Sequence, residues 1–448
     1  MKWNFDKIGK SLAAAVIGIT AILTPAIRST VLAQGTAAIS NWTREDANRI
    51  QLNDNNTAPI INKEDLEKMS PDYLVWDTWP LQDRQGHPAV VNGYKIIFAL
   101  TVPRDVIPGK RHDTAEIRYF YSKDGKGWEL GGLVFNDGKA LGSRQWAGSA
   151  FIDKDGKIHM FYTATGRKNE TRLTYEQRLA TTTGDIFTTN TTVTFKNWSD
   201  HKIILEPDGK YYQTQEQSNL GDLSYSFRDP YFFEDPKSGE QYILFEANSS
   251  GTAAERTCQP EHIGSIEFRQ THDTPEKAKL YNGSIGIAKA TNGNLTEFKE
   301  LPPLLEANCV NEELERPSVI VKGNNYYLFT KTHTGKFAPG LKGPEGLYGF
   351  TSSSLLGNYK PLNGSGLVIG NPGDNPYQGY SWLVMPNGTV ISYVEYVDVE
   401  GKTIDEIGQE SPEYQKEHFG GMLAPSLKIS ITQDRTDIVT EKKQGVFK

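Results

Sequence analysis

The chain is poor in cysteine. Cys258 and Cys309 are the only two among 448 residues, so a single disulfide pairing exists. It also lacks an excess of positive charge. Lys and Arg number 48 against 55 Asp and Glu, a net -7, which argues against nucleic acid as a partner. Beyond residue 33 no stretch is long and apolar enough to cross a bilayer. Beyond residue 70 helical periodicity is scarce, which leaves little room for a helical domain. No clustered set of oxygen ligands stands out, so no metal is expected.

What is present is aromatic and β-branched. Tyr (21) and Phe (19) are plentiful, and 37% of residues are hydrophobic, a globular composition with a strand bias. The length suits one large all-β domain or two to three ordinary ones.

Residues 1–33 read as a signal peptide. Lys2, Lys7 and Lys10 are its basic start, Ser11 to Ile27 its apolar run, and Val31-Leu32-Ala33 its small-residue cleavage site. Pro25 interrupts the run, which is short for a membrane anchor. Lys2, Lys7, Lys10 and Arg28 against Asp6 make this segment +3, and a whole-chain -7 leaves -10 for the rest. The mature chain is expected to be secreted, acidic and free of the membrane. Oxidation is then available to Cys258 and Cys309.

Residues 34–70 form a mostly helical or irregular segment expected to pack on the main domain. Thr43 caps a short helix through Ile50, with Asp46 three residues on, and Lys63 to Met69 adds another turn or two. From residue 71 to 448 one motif recurs five times: a Gly-bearing turn followed by an aromatic or β-branched strand. The turn glycines are Gly93, Gly156, Gly239, Gly323 and Gly388, spaced by 63, 83, 84 and 65 residues. Each interval holds four strands plus loops, so the pattern predicts a single five-bladed β-propeller. A β-sandwich with a second β-domain would not require the same hairpin five times.

The segments upstream of these turns are Trp76-Asp77, Gln145-Trp146-Ala147, Phe227-Arg228-Asp229-Pro230, Glu313-Leu314-Glu315-Arg316-Pro317 and Gln378-Gly379-Tyr380-Ser381-Trp382. In a propeller the innermost strand of each blade lines the channel. The five therefore converge on one axial pocket, with Asp77, Asp229, Glu313 and Glu315 beside Trp76, Trp146, Arg228 and Tyr380. Acidic groups among aromatic walls equip a site for glycoside chemistry. Retaining transfer needs two carboxyl groups with pKa values pushed apart. Glu313 and Glu315 fall on one face of a strand by its two-residue period. Asp229, beside Arg228, suits a permanently ionised role. Taken alone, Arg-Asp-Pro reads as a structural ion pair and Glu-Leu-Glu-Arg as a solvated edge; the signal is the set of five.

These motifs resemble glycoside hydrolase family 68, the bacterial levansucrases, inulosucrases and related β-fructofuranosidases. The likeness rests on Val75-Trp76-Asp77-Thr78-Trp79-Pro80-Leu81, on Phe227-Arg228-Asp229-Pro230 with Phe233-Glu234-Asp235-Pro236, and on Glu313-Leu314-Glu315-Arg316-Pro317. It runs from about Trp42 to about Ile431. The resemblance implies a five-bladed propeller with a deep axial pocket and a secreted sucrose fructosyltransferase of levansucrase type. A hydrolytic β-fructofuranosidase or an inulosucrase is the near alternative, and a non-catalytic fructan-binding propeller the remote one. By resemblance Asp77 is the nucleophile, Asp229 the transition-state stabiliser and Glu315 the acid/base. Trp76, Trp146, Arg228, Glu313, Arg316 and Tyr380 line the sucrose pocket, and His333 faces the glucose or acceptor side. The family usually has Ser where this chain has Ala147. No organic cofactor is implied, and the partners are sucrose and fructan acceptors of a monomer. Some relatives hold calcium near the Glu-x-Glu-Arg segment. Here a Cys258–Cys309 bridge is expected to do that positional work, with Glu312 a remnant of the site.

Overall fold

The structure is a computed structural model and describes residues 39–446. The expected signal peptide lies outside the described residues. Strands dominate, and they form five blades. The first begins with Tyr73–Gln82 and continues through Tyr94–Pro103, Glu116–Ser122 and Glu129–Leu133. The second begins with Arg144–Ile152 and continues through Lys157–Thr165 and Gln177–Thr188 to two short outer strands. The third runs Phe227–Glu234, Gln241–Asn248, Gly283–Ala290, Phe298–Glu306. The fourth is led by Glu315–Lys322, Asn325–Thr332 and Gly346–Ser352, the fifth by Gly379–Val384 and Thr389–Tyr396.

Each blade opens with the expected hairpin. The turn glycines take positive φ: 84° at Gly93, 79° at Gly156, 71° at Gly239, 60° at Gly323 and 79° at Gly388. An L side chain there would be strained, so the repeated glycine is a backbone requirement. The inner strands touch in cyclic order, first to second and on round to the fifth, which returns to the first. The propeller is closed. Leu81 and Gln82 even pair in parallel with Ala150 and Phe151, joining the first two blades into one sheet. Between blades the core is aromatic: Phe151 stacks on Phe232 at 4.1 Å, and Tyr119 meets Phe195 edge-on at 4.8 Å.

Residues 39–70 run over this body. Ser40–Asn41 adds a parallel strand to the outer edge of the third blade. Trp42 is fully buried against Phe337, Tyr348 and Phe350, and its indole N–H donates to Ser365 O at 2.9 Å. Thr43 caps a helix through a capping box with Asp46, but the helix spans only Arg44–Ala47 rather than reaching Ile50. Lys63–Asp65 is a single 3-10 turn, shorter than expected.

In every blade the loop joining the second and third strands lies at the end where the inner strand begins. Five such loops, 104–115, 166–176, 249–282, 333–345 and 397–418, therefore gather at one end of the channel.

Candidate active site

Each inner strand breaks register once, at an equivalent place. The breaks fall between Trp76 and Trp79, Trp146 and Gly148, Arg228 and Tyr231, Glu315 and Ser318, and Tyr380 and Leu383. A bulge bends its strand and re-aims the side chains on it. Four of the five carry a non-glycine residue with positive φ: Asp77 at 47°, Asp229 at 61°, Arg316 at 45° and Ser381 at 60°. Such conformations cost about 1–3 kcal/mol each and persist only where their surroundings fix them. The bulge of the second blade holds Ala147 and, among the described residues, no such strain.

Arg316 shows how they are fixed. Its guanidinium donates to Ser381 Oγ of the fifth blade and, at 3.1 Å, to Thr78 O of the first. Its own carbonyl accepts from Lys331 Nζ at 2.7 Å. Arg316 Nη1 lies 3.9 Å from Asp77 Oδ1, and Arg111 and Lys331 also act on that carboxylate through charge. The second and third blades are tied the same way: Thr163 Oγ1 donates to Ala147 O at 3.0 Å and accepts from Asp229 N at 2.9 Å.

Glu315 accepts from Arg228 Nη2 at 3.0 Å through Oε1 and from the Tyr380 hydroxyl through Oε2. His333 Nε2 stands 3.8 Å from Oε2, and its ring stacks on Tyr380 at 3.8 Å. Burial pushes the Glu315 carboxyl up. The His333 and Arg228 charges and the Tyr380 hydrogen bond outweigh burial and hold it down at about 2.

Asp229 departs from expectation. It is not held ionised by its neighbour Arg228. Burial first, then repulsion from Asp77 and Glu315, raises its carboxyl to about 7 against the pull of Arg228 and Arg316. Arg228 also faces three other carboxylates. Arg228 Nη2 is shared among Glu246 Oε1 at 2.9 Å, Glu315 Oε1 at 3.0 Å and Glu313 Oε1 at 3.8 Å. One guanidinium cannot neutralise them all.

Glu313 reaches this cluster from a loop. The strand starts at Glu315, and Glu313 N is tied to Asn311 Oδ1 at 2.9 Å, so the two carboxylates do not share a strand face as expected. Lys336 Nζ pairs with Glu313 at 2.9 Å and approaches Glu312 at 3.9 Å. An ammonium thus stands beside the expected calcium remnant.

Several residues here were missed in the sequence. Glu246 and Lys331 lie directly across the hairpins from Arg228 and Glu315. Arg111 and His112 come from the 104–115 loop. Trp76 Nε1 donates to His112 Nε2 at 3.2 Å, and Trp146 Nε1 donates to His112 O at 3.0 Å. An indole only donates, so His112 must offer a bare nitrogen. Burial and the nearby Arg111 depress its pKa well below the usual histidine value and keep it neutral.

Behind His333 lie Glu345 and Glu395. His333 Nδ1 is 2.9 Å from Glu345 Oε1, and Arg111 Nη2 is 3.3 Å from Glu395 Oε1. The ligand-type atoms of His333, Glu345 and Glu395 all lie within 4.8 Å of one another. Burial opposes charge on His333, but Glu345 overrides it and lifts the imidazole to about 10. Burial and Glu345 together push Glu395 up to about 8. The three groups are thus strongly coupled through charge and a hydrogen bond.

Three carboxyl groups in unlike surroundings, Asp77, Asp229 and Glu315, thus lie within electrostatic reach of one another, with Tyr380 bonded to Glu315 and Trp76 buried beside Asp77. The side chains of Asp77 and Glu315 keep 17% and 18% exposure, so solvent reaches both. Such an arrangement suits nucleophilic and acid/base work at a sugar acetal.

Comparison with known proteins agrees. The profile of a protein family described as Levansucrase/Invertase matches residues 32–448. The levansucrase LscB of Pseudomonas savastanoi pv. glycinea is 35% identical over 90% of this chain and 91% of its own. An extracellular sucrase of Zymomonas mobilis is 36% identical over 89% and 92%. Among solved structures, an inulosucrase from Halalkalicoccus jeotgali bound to kestose superposes with a TM-score of 0.83 at 45% identity. That match covers 92% of this chain and 97% of the other.

Proposed function

The chain belongs to the levansucrase/invertase family, glycoside hydrolase family 68, and we propose that it is a secreted sucrose fructosyltransferase of levansucrase type. The observation that carries this reading is the set of five matched bulges, which present Asp77, Asp229 and Glu315 among Arg228, Arg316 and Tyr380. Asp77 attacks the anomeric carbon of the fructosyl unit. The bond to the glucosyl oxygen breaks, Glu315 gives that oxygen a proton, and glucose leaves. An acceptor hydroxyl then attacks the same carbon, Glu315 takes its proton, and the ester to Asp77 breaks. The acceptor is a fructan, a second sucrose or water.

The chemistry requires a proton on Glu315. In the sugar-free site burial favours that proton, while the His333 and Arg228 charges and the Tyr380 hydrogen bond oppose it.

The same reading takes residues 1–33 as an export signal and 71–448 as one catalytic propeller working as a monomer. Its substrates are sucrose and fructan acceptors, with no cofactor, metal, nucleic acid or membrane partner. Among the described residues no helix is long and apolar enough to cross a membrane. The inulosucrase reading has one observation in its favour: identity is 45% to an inulosucrase against 35% to a levansucrase.

Incubation with concentrated sucrose tests the proposal. Glucose is expected to exceed free fructose, the difference appearing as β-2,6-linked transfer product. Mainly β-2,1 linkages would favour the inulosucrase reading. Equal release at every sucrose concentration would favour a hydrolytic β-fructofuranosidase, and no release a binding propeller.

Ala147 bears on the same ratio. Among the described residues Asp77 has an ion-pair neighbour at 3.9 Å but no side-chain hydrogen bond. A hydroxyl at position 147 would add one near a charged carboxylate or the sugar, worth at most roughly 1.5–3 kcal/mol. Ala147→Ser is expected to change the glucose-to-fructose release ratio more than the thermal midpoint. An unchanged ratio across sucrose concentrations would rule out a role for this position.

His333 sets the charge of Glu315. Removing a cation disfavours the carboxylate, so the Glu315 pKa rises and its acidic form persists to higher pH. The alkaline limb of kcat/KM for glucose release should move up by about 1 pH unit in His333→Ala. His333→Arg keeps the charge and should hold the limb in place. A limb that stays put or moves down in His333→Ala would contradict this role.

A further inference from the structure

The 104–115 and 166–176 loops meet at the mouth of the channel and place Tyr175 in an unusual setting. Its side chain is 45% exposed, yet it is held on several sides. Its hydroxyl donates to Asp113 Oδ1 at 2.7 Å, across from the second blade to the first. The Arg144 guanidinium lies 4.9 Å from its ring centroid. Arg144 is itself buried and anchored, donating to Thr174 O at 2.6 Å and Ser143 Oγ at 2.8 Å. The Trp146 ring stands 6.4 Å away.

An exposed tyrosine on a loop normally rotates freely. This one is fixed before any ligand arrives, so little ordering entropy is left to lose on binding. Its fixed position also continues a series. From the buried Trp76, ring centroids step 5.5 Å to His112, 5.6 Å to Trp146 and 6.4 Å to Tyr175. Exposure grows along it, from 0% at Trp76 to 45% at Tyr175. The series starts at the residue beside Asp77 and ends at the rim.

Resting on the fructosyltransferase reading above, we propose that Tyr175, pinned by Asp113 and Arg144, is a stacking platform for a distal furanose unit of an oligofructoside acceptor. The apolar C–H face of a furanose lies on the open face of the ring. Its hydroxyls turn outward to water and to the polar groups of the two loops. The platform holds the growing chain between transfers. It thereby raises the local concentration of the acceptor end against water at the fructosyl-enzyme.

The test uses the full chain and two readouts. In concentrated sucrose, compared at equal glucose released, Tyr175→Ala should shorten the mean product length at least threefold. Tyr175→Trp, which keeps an aromatic face, should restore it. On an Asp77→Asn background, the Kd for a four-unit fructooligosaccharide should rise about tenfold in Tyr175→Ala and stay near the parent value in Tyr175→Trp. Unchanged product length or an unchanged Kd in Tyr175→Ala would overturn the platform. Shortening that Tyr175→Trp fails to restore would overturn it too. If the wild-type chain released no glucose from sucrose, the enzymatic reading would fall and the platform with it. Normal glucose release with wild-type behaviour in Tyr175→Ala would remove the platform alone.

Discussion

Asp77→Asn is expected to bind sucrose and to turn almost none of it over. An amide cannot form the acylal ester to the anomeric carbon, so the two-step path closes at its first step. Loss of a member of a covalent catalytic set costs on the order of 10⁴–10⁶-fold in kcat. The substitution also spares the fold. Asp77 sits at φ 47°, a region that asparagine enters about as readily as aspartate, whereas an alanine there would add strain of its own. Asn retains the volume, so the Trp76 and Trp79 packing should survive. The measurements are kcat by glucose release, Kd for sucrose by calorimetry and the thermal midpoint. More than a few per cent of wild-type turnover, with deamidation excluded, would show that Asp77 is not the nucleophile. Lost sucrose binding would point instead to a charge requirement in the ground state.

How far the site could be read from the sequence depends on which part of a blade is considered. The hairpins were legible because a turn needing φ > 0 leaves a glycine behind, five times over. The inner-strand motifs were legible because they immediately precede those turns. The bulges were not, since an extra residue leaves no mark in an alternating pattern. Counting back from the turns pairs Ser318 with Phe329 and Tyr231 with Leu244 correctly. Beyond the bulge that count is off by one residue. The true partners, Lys331 opposite Glu315 and Glu246 opposite Arg228, then fall on the wrong face. The electrostatics of the site were lost with them. Reading along the chain assigns Arg228 to Asp229, its neighbour in sequence, whereas its guanidinium is also shared with Glu246 and Glu315. Arg111, His112, Glu345 and Glu395 were beyond reach for another reason. They come from the loops at the mouth or next to them, where no periodicity says which way a side chain points.

Reducing the Cys258–Cys309 bridge is expected to lower both stability and activity. The two cysteines are bonded, with Cα atoms 5.8 Å apart and a sequence separation of 51. Closing a loop of that length stabilises by about 4 kcal/mol in the chain-entropy model, an upper figure. Over a body of this size that corresponds to a fall in thermal midpoint of about 5 °C at most. The effect on activity follows from where the bridge lies. Cys258 is in the 249–282 loop of the third blade, and Cys309 is six residues before Glu315. Cys309 is also held by Tyr281 O, which accepts its N–H at 2.7 Å, and by Arg44, which donates to its carbonyl at 2.8 Å. From there Asn311 relays position to the site: its Oδ1 accepts from Glu313 N and from Thr332 Oγ1, both at 2.9 Å. Freeing Cys309 loosens the start of this relay, so Glu315 should lose alignment before the propeller melts. Chelators should do neither. Lys336 already pairs with Glu313 and approaches Glu312, so a fixed cation stands beside the expected calcium remnant. Thiol titration of the unfolded, unreduced protein decides the first point, and two free thiols would sink it. A midpoint unchanged by reductant, or lowered by EDTA, would show that something other than this bridge holds the segment that delivers Glu315.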